Sequence, residues 1–184
     1  MAKIFLCRHG QDEDNAEMKL NGHRDRPLTE LGRSQAADAS RTIKDKISNI
    51  DVVLSSPLQR ARDTANAIAR SYDVSVRVLD SLIERDFGVL TGRSLQDIDR
   101  FAGETLKTEK VNYFLTADGA ETFDELMIRA RRIVDHVDRA YTGKTVLLVC
   151  HGDIGKMIMA VRRGTSWSAS LKAPFISNTE VIEL

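Results

Sequence analysis

Val146-Leu147-Leu148-Val149-Cys150 is apolar without a break, flanked by Thr145 and His151. A strand with one wet face alternates apolar and polar residues, so an unbroken run belongs to a strand covered on both faces, as in the centre of a parallel sheet. Ile4-Phe5-Leu6-Cys7 reads the same way. Neither run is long enough to cross a bilayer. Both end in reactive side chains: Arg8-His9-Gly10 follows the first and His151-Gly152 the second. The carboxyl ends of strands are where open α/β sheets bind ligands.

The segments between these runs supply a strand and helix rhythm. Leu28-Thr29-Glu30-Leu31-Gly32 opens a helix with Thr29 as N-cap and Leu31, Gln35, Ala39, Ile43 and Ile47 as its inward stripe. Asp51-Val52-Val53-Leu54 is a second short strand. It leads into Ser56-Pro57-Leu58-Gln59, whose pattern predicts a capped helix start that sets Arg60 in the first turn, where anions are favoured. Ala61, Ala65, Ile68 and Ala69 form that helix's buried face, and Val74, Val76 and Val78 alternate as a third strand. Ser94 to Phe101 is a short helix; Gly103 to Gly119 has little periodicity and is expected as a lid or cap. Thr122-Phe123-Asp124-Glu125 is a capping box that opens a long helix with Phe123, Leu126, Ala130, Ile133, Val137 and Ala140 on one side. A helix from Ile154 to Val161 and an edge strand from Glu180 to Leu184 complete the order. These alternations predict an α/β fold, a three-layer α/β/α sandwich with a largely parallel central sheet, in one domain over residues 1–184.

Composition narrows the function classes. Twenty-seven Lys plus Arg balance 27 Asp plus Glu, so no global field draws the chain to nucleic acid or an anionic membrane. With no secretory leader pattern or membrane-length run, a cytoplasmic location is expected. Cys7 and Cys150 form neither a disulfide framework nor a zinc spacing, and His9, His23, His136 and His151 lack metal-motif neighbours, so no metal and no cofactor are expected. The two cysteines are read as packing residues, His23 and His136 as solvated, and Arg62, Arg129, Arg131 and Arg132 as solvated helix faces.

Arginine offers a fork that suits phosphate, and an adjacent neutral imidazole can act as a nucleophile, so Arg8-His9 points to phosphoryl transfer. The ordered motifs resemble the histidine phosphatase, or phosphoglycerate mutase-like, superfamily. They are Arg8-His9-Gly10 with Asn15; Pro27-Leu28-Thr29 with Gly32, Gln35 and Ala36; Ser55-Ser56-Pro57-Leu58 with Arg60, Ala61, Thr64 and Ala65; Leu82, Glu84, Phe87-Gly88 and Gly92; Gly119-Ala120-Glu121-Thr122; and His151-Gly152. The resemblance implies that His9 becomes phosphohistidine, that Arg8, Arg60 and His151 hold the phosphoryl oxygens, and that Glu84 serves the leaving group and then water. Substrate contacts are expected from Asn15, Gln11, Asn21, Gly22 and Gly152. The implied activity is hydrolysis of a small phosphorylated metabolite, with a phosphoglycerate mutase-type enzyme or a non-catalytic phosphate-binding relative as alternatives. Asp12 stands where this family usually has Thr or Ser, and with Asp14 it is expected to add negative charge beside the anion site. Nothing in the sequence fixes an oligomeric state.

Overall fold

A computed structural model describes residues 1–184. In chain order the elements are β1 Lys3–Arg8, α1 Glu13–Ala16, α2 Glu30–Lys46, β2 Val52–Ser55, α3 Gln59–Arg70, β3 Val76–Val78, α4 Ile98–Phe101, β4 Glu104–Lys107, β5 Asn112–Thr116, α5 Phe123–Ala140, β6 Thr145–Cys150, α6 Gly152–Arg163, α7 Trp167–Lys172 and β7 Val181–Glu183. The main sheet runs β3-β2-β6-β1-β7, parallel except for the antiparallel edge strand β7. β6 is therefore central, and alternation across the pleat explains its unbroken apolar run. Val146, Leu148 and Cys150 pack with α5, α6 and α7 on one face, while Leu147 and Val149 pack with α2 and α3 on the other. Helices on both faces make the three layers expected of the sequence, and no helix is long and apolar enough to cross a membrane.

Register carries the two His-Gly ends to one place. β1 pairs with β6 with Arg8 opposite Cys150, so His9 and His151 leave the same sheet edge side by side. Ser55 at the end of β2 pairs with Val149, which brings the start of α3 to that edge as well.

Several local readings shift. The inward face of α2 is Gly32, Ala36, Ala39 and Ile43, while Leu31 is exposed. The reason is close approach: a Cβ on Gly32 would collide with the Gln11 carbonyl oxygen, so only glycine lets the helix rest on the loop after His9. Ser56 is not the cap of α3. Leu58 is the N-cap residue, without a side-chain cap bond, and the Ser56 hydroxyl accepts from the Leu58 amide at 3.3 Å and from His151. The third strand is confined to residues 76–78, Ala140 is exposed, and α6 begins at Gly152 rather than Ile154. Gly103 to Gly119 contains the hairpin β4-β5, whose inner residues Tyr113 and Phe114 are buried. Arg129 is no solvated residue: its guanidinium pairs with Glu121 and donates to the carbonyls of Ser81, Ile83 and Glu84. It thereby ties α5 to the segment that carries Glu84.

Candidate active site

His9 sits just past β1, buried, with its amide on the Cys150 carbonyl and its own carbonyl accepting from Asn178 Nδ2. Its Nδ1 lies 2.6 Å from the Gly10 carbonyl. A carbonyl only accepts, so Nδ1 carries the proton and Nε2 keeps its lone pair. Burial, and then the positive charges of Arg60 and Arg8, holds this imidazole well below the usual histidine range. It is neutral at pH 7. His151 lies beside it, ring centroids 5.0 Å apart, and burial followed by Arg60 depresses it likewise. Its Nδ1 accepts from Arg60 Nε at 3.2 Å, which leaves Nε2 to donate to the Ser56 hydroxyl at 2.7 Å.

Arg60 is fully buried and heavily engaged. Nε is also 3.1 Å from Asp12 Oδ2, Nη1 donates to the Arg24 carbonyl and Nη2 to the Gly22 carbonyl. Asp12 caps α1 through the Asn15 amide and accepts from Asn21 Nδ2, so burial, which raises its pKa, is opposed by Arg60 and these two donors. The acidic cluster therefore does not stand as free charge: Asp12 faces Arg60, and buried Asp14 faces Arg24. The charge expected to repel an anion is neutralised in place, and the same pairing offsets part of the Arg60 charge.

Glu84 is fixed by the start of α6. Oε1 accepts from the amides of Arg85 and Ile154 at 2.9 and 3.1 Å, and Oε2 from the amide of Asp153 at 3.2 Å. Its carbonyl takes Arg129 and the Nε2 of His23, which is exposed as expected but anchors this loop. Asp153 stands beside Glu84, its carboxylate 2.8 Å from Arg85 Nε. Burial raises Asp153 to about 6, against the pull of Arg85 and with the help of Glu84.

A cavity of about 460 Å³ opens at this edge. Arg8, Gln11, Asn15, Asn21, Glu84 and Gly152 reach its wall, whereas Gly22 does not. Gly22 instead has φ +48 and gives its carbonyl to Arg60. His9, Arg60 and His151 are buried at the same sheet edge and are not among the residues that line the cavity. Further residues on the wall, not singled out from the sequence, are Asp153, Tyr113, Phe175, Ile176 and Asn178. Arg8 Nη1 donates to the Ile176 carbonyl at 2.9 Å, with the Phe175 ring 4.9 Å from the guanidinium. Only Asp153 had a sequence signal, following His151-Gly152 at a helix start. Cys7 and Cys150 are buried in the core, and burial pushes the Cys7 thiol up to about 12, far from a reactive thiolate. No group of three His, Cys, Asp or Glu side chains is placed to hold a metal ion.

A family model described as histidine phosphatase superfamily (branch 1) matches residues 4–184. The chain belongs to the histidine phosphatase superfamily. Among curated relatives of this histidine phosphatase-superfamily chain, a bifunctional protein of Mycobacterium tuberculosis is 34% identical over 157 residues. That alignment takes in 85% of this chain and 43% of the longer mycobacterial one, so the chain spans less than half of that relative. An uncharacterized phosphatase of Bacillus subtilis is 32% identical, covering 83% of this chain and 72% of its own. A 2,3-bisphosphoglycerate-dependent phosphoglycerate mutase of Bartonella bacilliformis is 30% identical, covering 89% and 82%. The solved mycobacterial glucosyl-3-phosphoglycerate phosphatase has the same fold, with a TM-score of 0.84 at 24% identity over 100% of this chain and 92% of that one. The relatives this chain resembles thus include proteins named as a phosphatase and as a phosphoglycerate mutase.

Proposed function

We propose that the protein hydrolyses a small phosphomonoester through a phosphohistidine on His9. The observation that carries this reading is the state of His9: neutral, its Nδ1 proton held by Gly10, its Nε2 lone pair free, and two guanidiniums close enough to depress it. Nε2 attacks phosphorus, forming the P–N bond as the P–O bond to the alcohol breaks. Arg8 and Arg60 offset charge on the equatorial oxygens, and His151 orders Arg60 and Ser56 around them. Glu84 gives the departing oxygen its proton, then takes one from the water that attacks the phosphohistidine and regenerates His9. Asn15, Gln11, Asn21 and Gly152 border the cavity as substrate contacts, and Gly22 acts through Arg60. A cytoplasmic location and independence from metal belong to the same reading.

A phosphoglycerate mutase-type reaction is the second reading, favoured by the Bartonella relative. The test is to incubate the protein with phosphate esters and a chelator, quenching samples early in alkali. Hydrolysis with an acid-labile, alkali-stable label that His9→Ala abolishes is the expected result. Isomerised phosphoglycerate would select the mutase, binding without label a non-catalytic relative, and a label on another residue would remove His9.

A further inference from the structure

Resting on the phosphatase reading, we infer that the preferred substrate is a phosphomonoester of an uncharged, ring-bearing alcohol of about nucleoside size, rather than of a short carboxylic acid.

Three observations carry this. The first is room. The 460 Å³ cavity falls within the roughly 300–1,000 Å³ range of pockets that enclose most of a drug-sized ligand. A three-carbon acid leaves much of that space filled only with water.

The second is charge. An acid as leaving group needs a free cation beyond the phosphate site. Lys19 is bound to Glu17, Arg85 to Asp153, and Lys156 donates to the carbonyls of Ser170, Ala173 and Pro174. Lys110, on the exposed turn of the β4-β5 hairpin, is the remaining lysine on the wall. Inside, Arg85 and Asp153 offset each other, so the wall beyond the phosphoryl group offers no net positive charge. A second carboxylate there would be desolvated with one exposed, screened lysine as its counter-ion.

The third is apolar surface. Met18, Leu95 and Phe175 are 61%, 41% and 37% exposed, and all three border this cavity. They come from three separate stretches of chain that the fold brings to one cavity. Buried Ile98 and half-buried Val111 line the same cavity, so a ring there finds apolar contact. Deeper in, Asp153 and the Tyr113 hydroxyl, which has no protein partner, accept hydrogen bonds from hydroxyls of the alcohol.

The experiment compares kcat/KM for adenosine 5′-phosphate, glycerol 2-phosphate, 3-phosphoglycerate and phosphoserine, with the His9 label followed for each. The nucleotide is expected to exceed both acids by tenfold or more. Met18→Ser and Leu95→Ser, both at exposed positions, should each lower the ratio of nucleotide to glycerol phosphate about fivefold through KM. Met18→Lys, which adds a cation at the mouth, should raise activity on 3-phosphoglycerate. Preference of the unaltered protein for either acid, or an unchanged ratio in both serine variants, overturns the inference while a His9 label leaves the phosphatase reading standing. Absence of label from every ester removes that reading, and this inference with it.

Discussion

Arg85 joins two carboxylates: its amide donates to Glu84 Oε1 at 2.9 Å while its Nε lies 2.8 Å from Asp153 Oδ2. The same guanidinium reaches the Phe114 carbonyl at 3.0 Å and stacks 3.8 and 4.2 Å from the Phe114 and Phe123 rings. One buried side chain thus fastens the β4-β5 hairpin to the carboxylates at the start of α6. Arg85→Met leaves Asp153 buried without its partner, and stability should fall by about 3–5 kcal/mol in urea unfolding. Adding Asp153→Leu should restore much of that loss. A single variant as stable as the parent would show that the pair does not hold the hairpin.

The depressed histidines predict how stability responds to acid. An unfolded His151 takes up a proton as pH falls through about 6.5, whereas the folded one, held well below that value, does not. The unfolded state binds more protons, so stability falls with pH in this window, by about 1.4 kcal/mol per unit for each such group once the unfolded form is fully charged. His151→Asn should remove about 1 kcal/mol of the loss between pH 7 and 5.5, measured by urea unfolding at each pH. Asp153 works the other way: raised to about 6, it contributes stability below the unfolded carboxyl value that is lost as pH rises through 6. Comparing variant with parent isolates the histidine.

Asp12 sets the net charge that Arg60 shows an anion. Asp12→Asn keeps the acceptor for the Asn15 amide and removes the negative charge 3.1 Å from Arg60. Inhibition by inorganic phosphate should tighten by about tenfold, the effect of roughly 1.4 kcal/mol. Unchanged or weaker inhibition would mean that Asp12 does not offset the arginine.

Glu84→Gln should slow transfer to His9 from an alkyl phosphate about a hundredfold more than transfer from p-nitrophenyl phosphate, because a nitrophenolate leaves without a proton. Single-turnover kinetics isolates this step from the attack of water. Equal slowing of both esters would take the proton donor away from Glu84 and make Asp153, on the same wall, the candidate.

The parts of this molecule legible in its sequence are those set by local pattern. Unbroken apolar runs mark β1 and β6 because both faces are covered, and Thr122 with Glu125 marks the start of α5 because the reciprocal cap is local. The motif residues around His9, Glu84 and His151 were legible for the same reason. Features decided at a distance were not. Leu31 looks like a core residue, yet the tight contact between Gly32 and the Gln11 carbonyl turns it outward. Ser56-Pro57 has the form of a helix cap, but the helix begins after Leu58 and the hydroxyl is shared between the Leu58 amide and a histidine 95 positions away. Arg129 belongs to a charged run and still buries its head against three carbonyls, and Tyr113 lies on a strand of five residues with too little pattern to register. Phe175 to Asn178 carries no periodic signal because its place is set by Arg8, Lys156 and the His9 carbonyl.

That last strap bears on how the protein is made. Arg8 and His9 emerge from the ribosome early, yet their final hydrogen bonds come from Ile176 and Asn178, 168 and 169 residues later. During translation the Arg8-His9 motif is present but unfinished, with its imidazole still in water and free to take up a proton. Contacts so far apart in sequence form late in folding because the loop between them must close first. A nascent chain stalled before residue 176 should therefore carry every motif of the family and no working phosphoryl site.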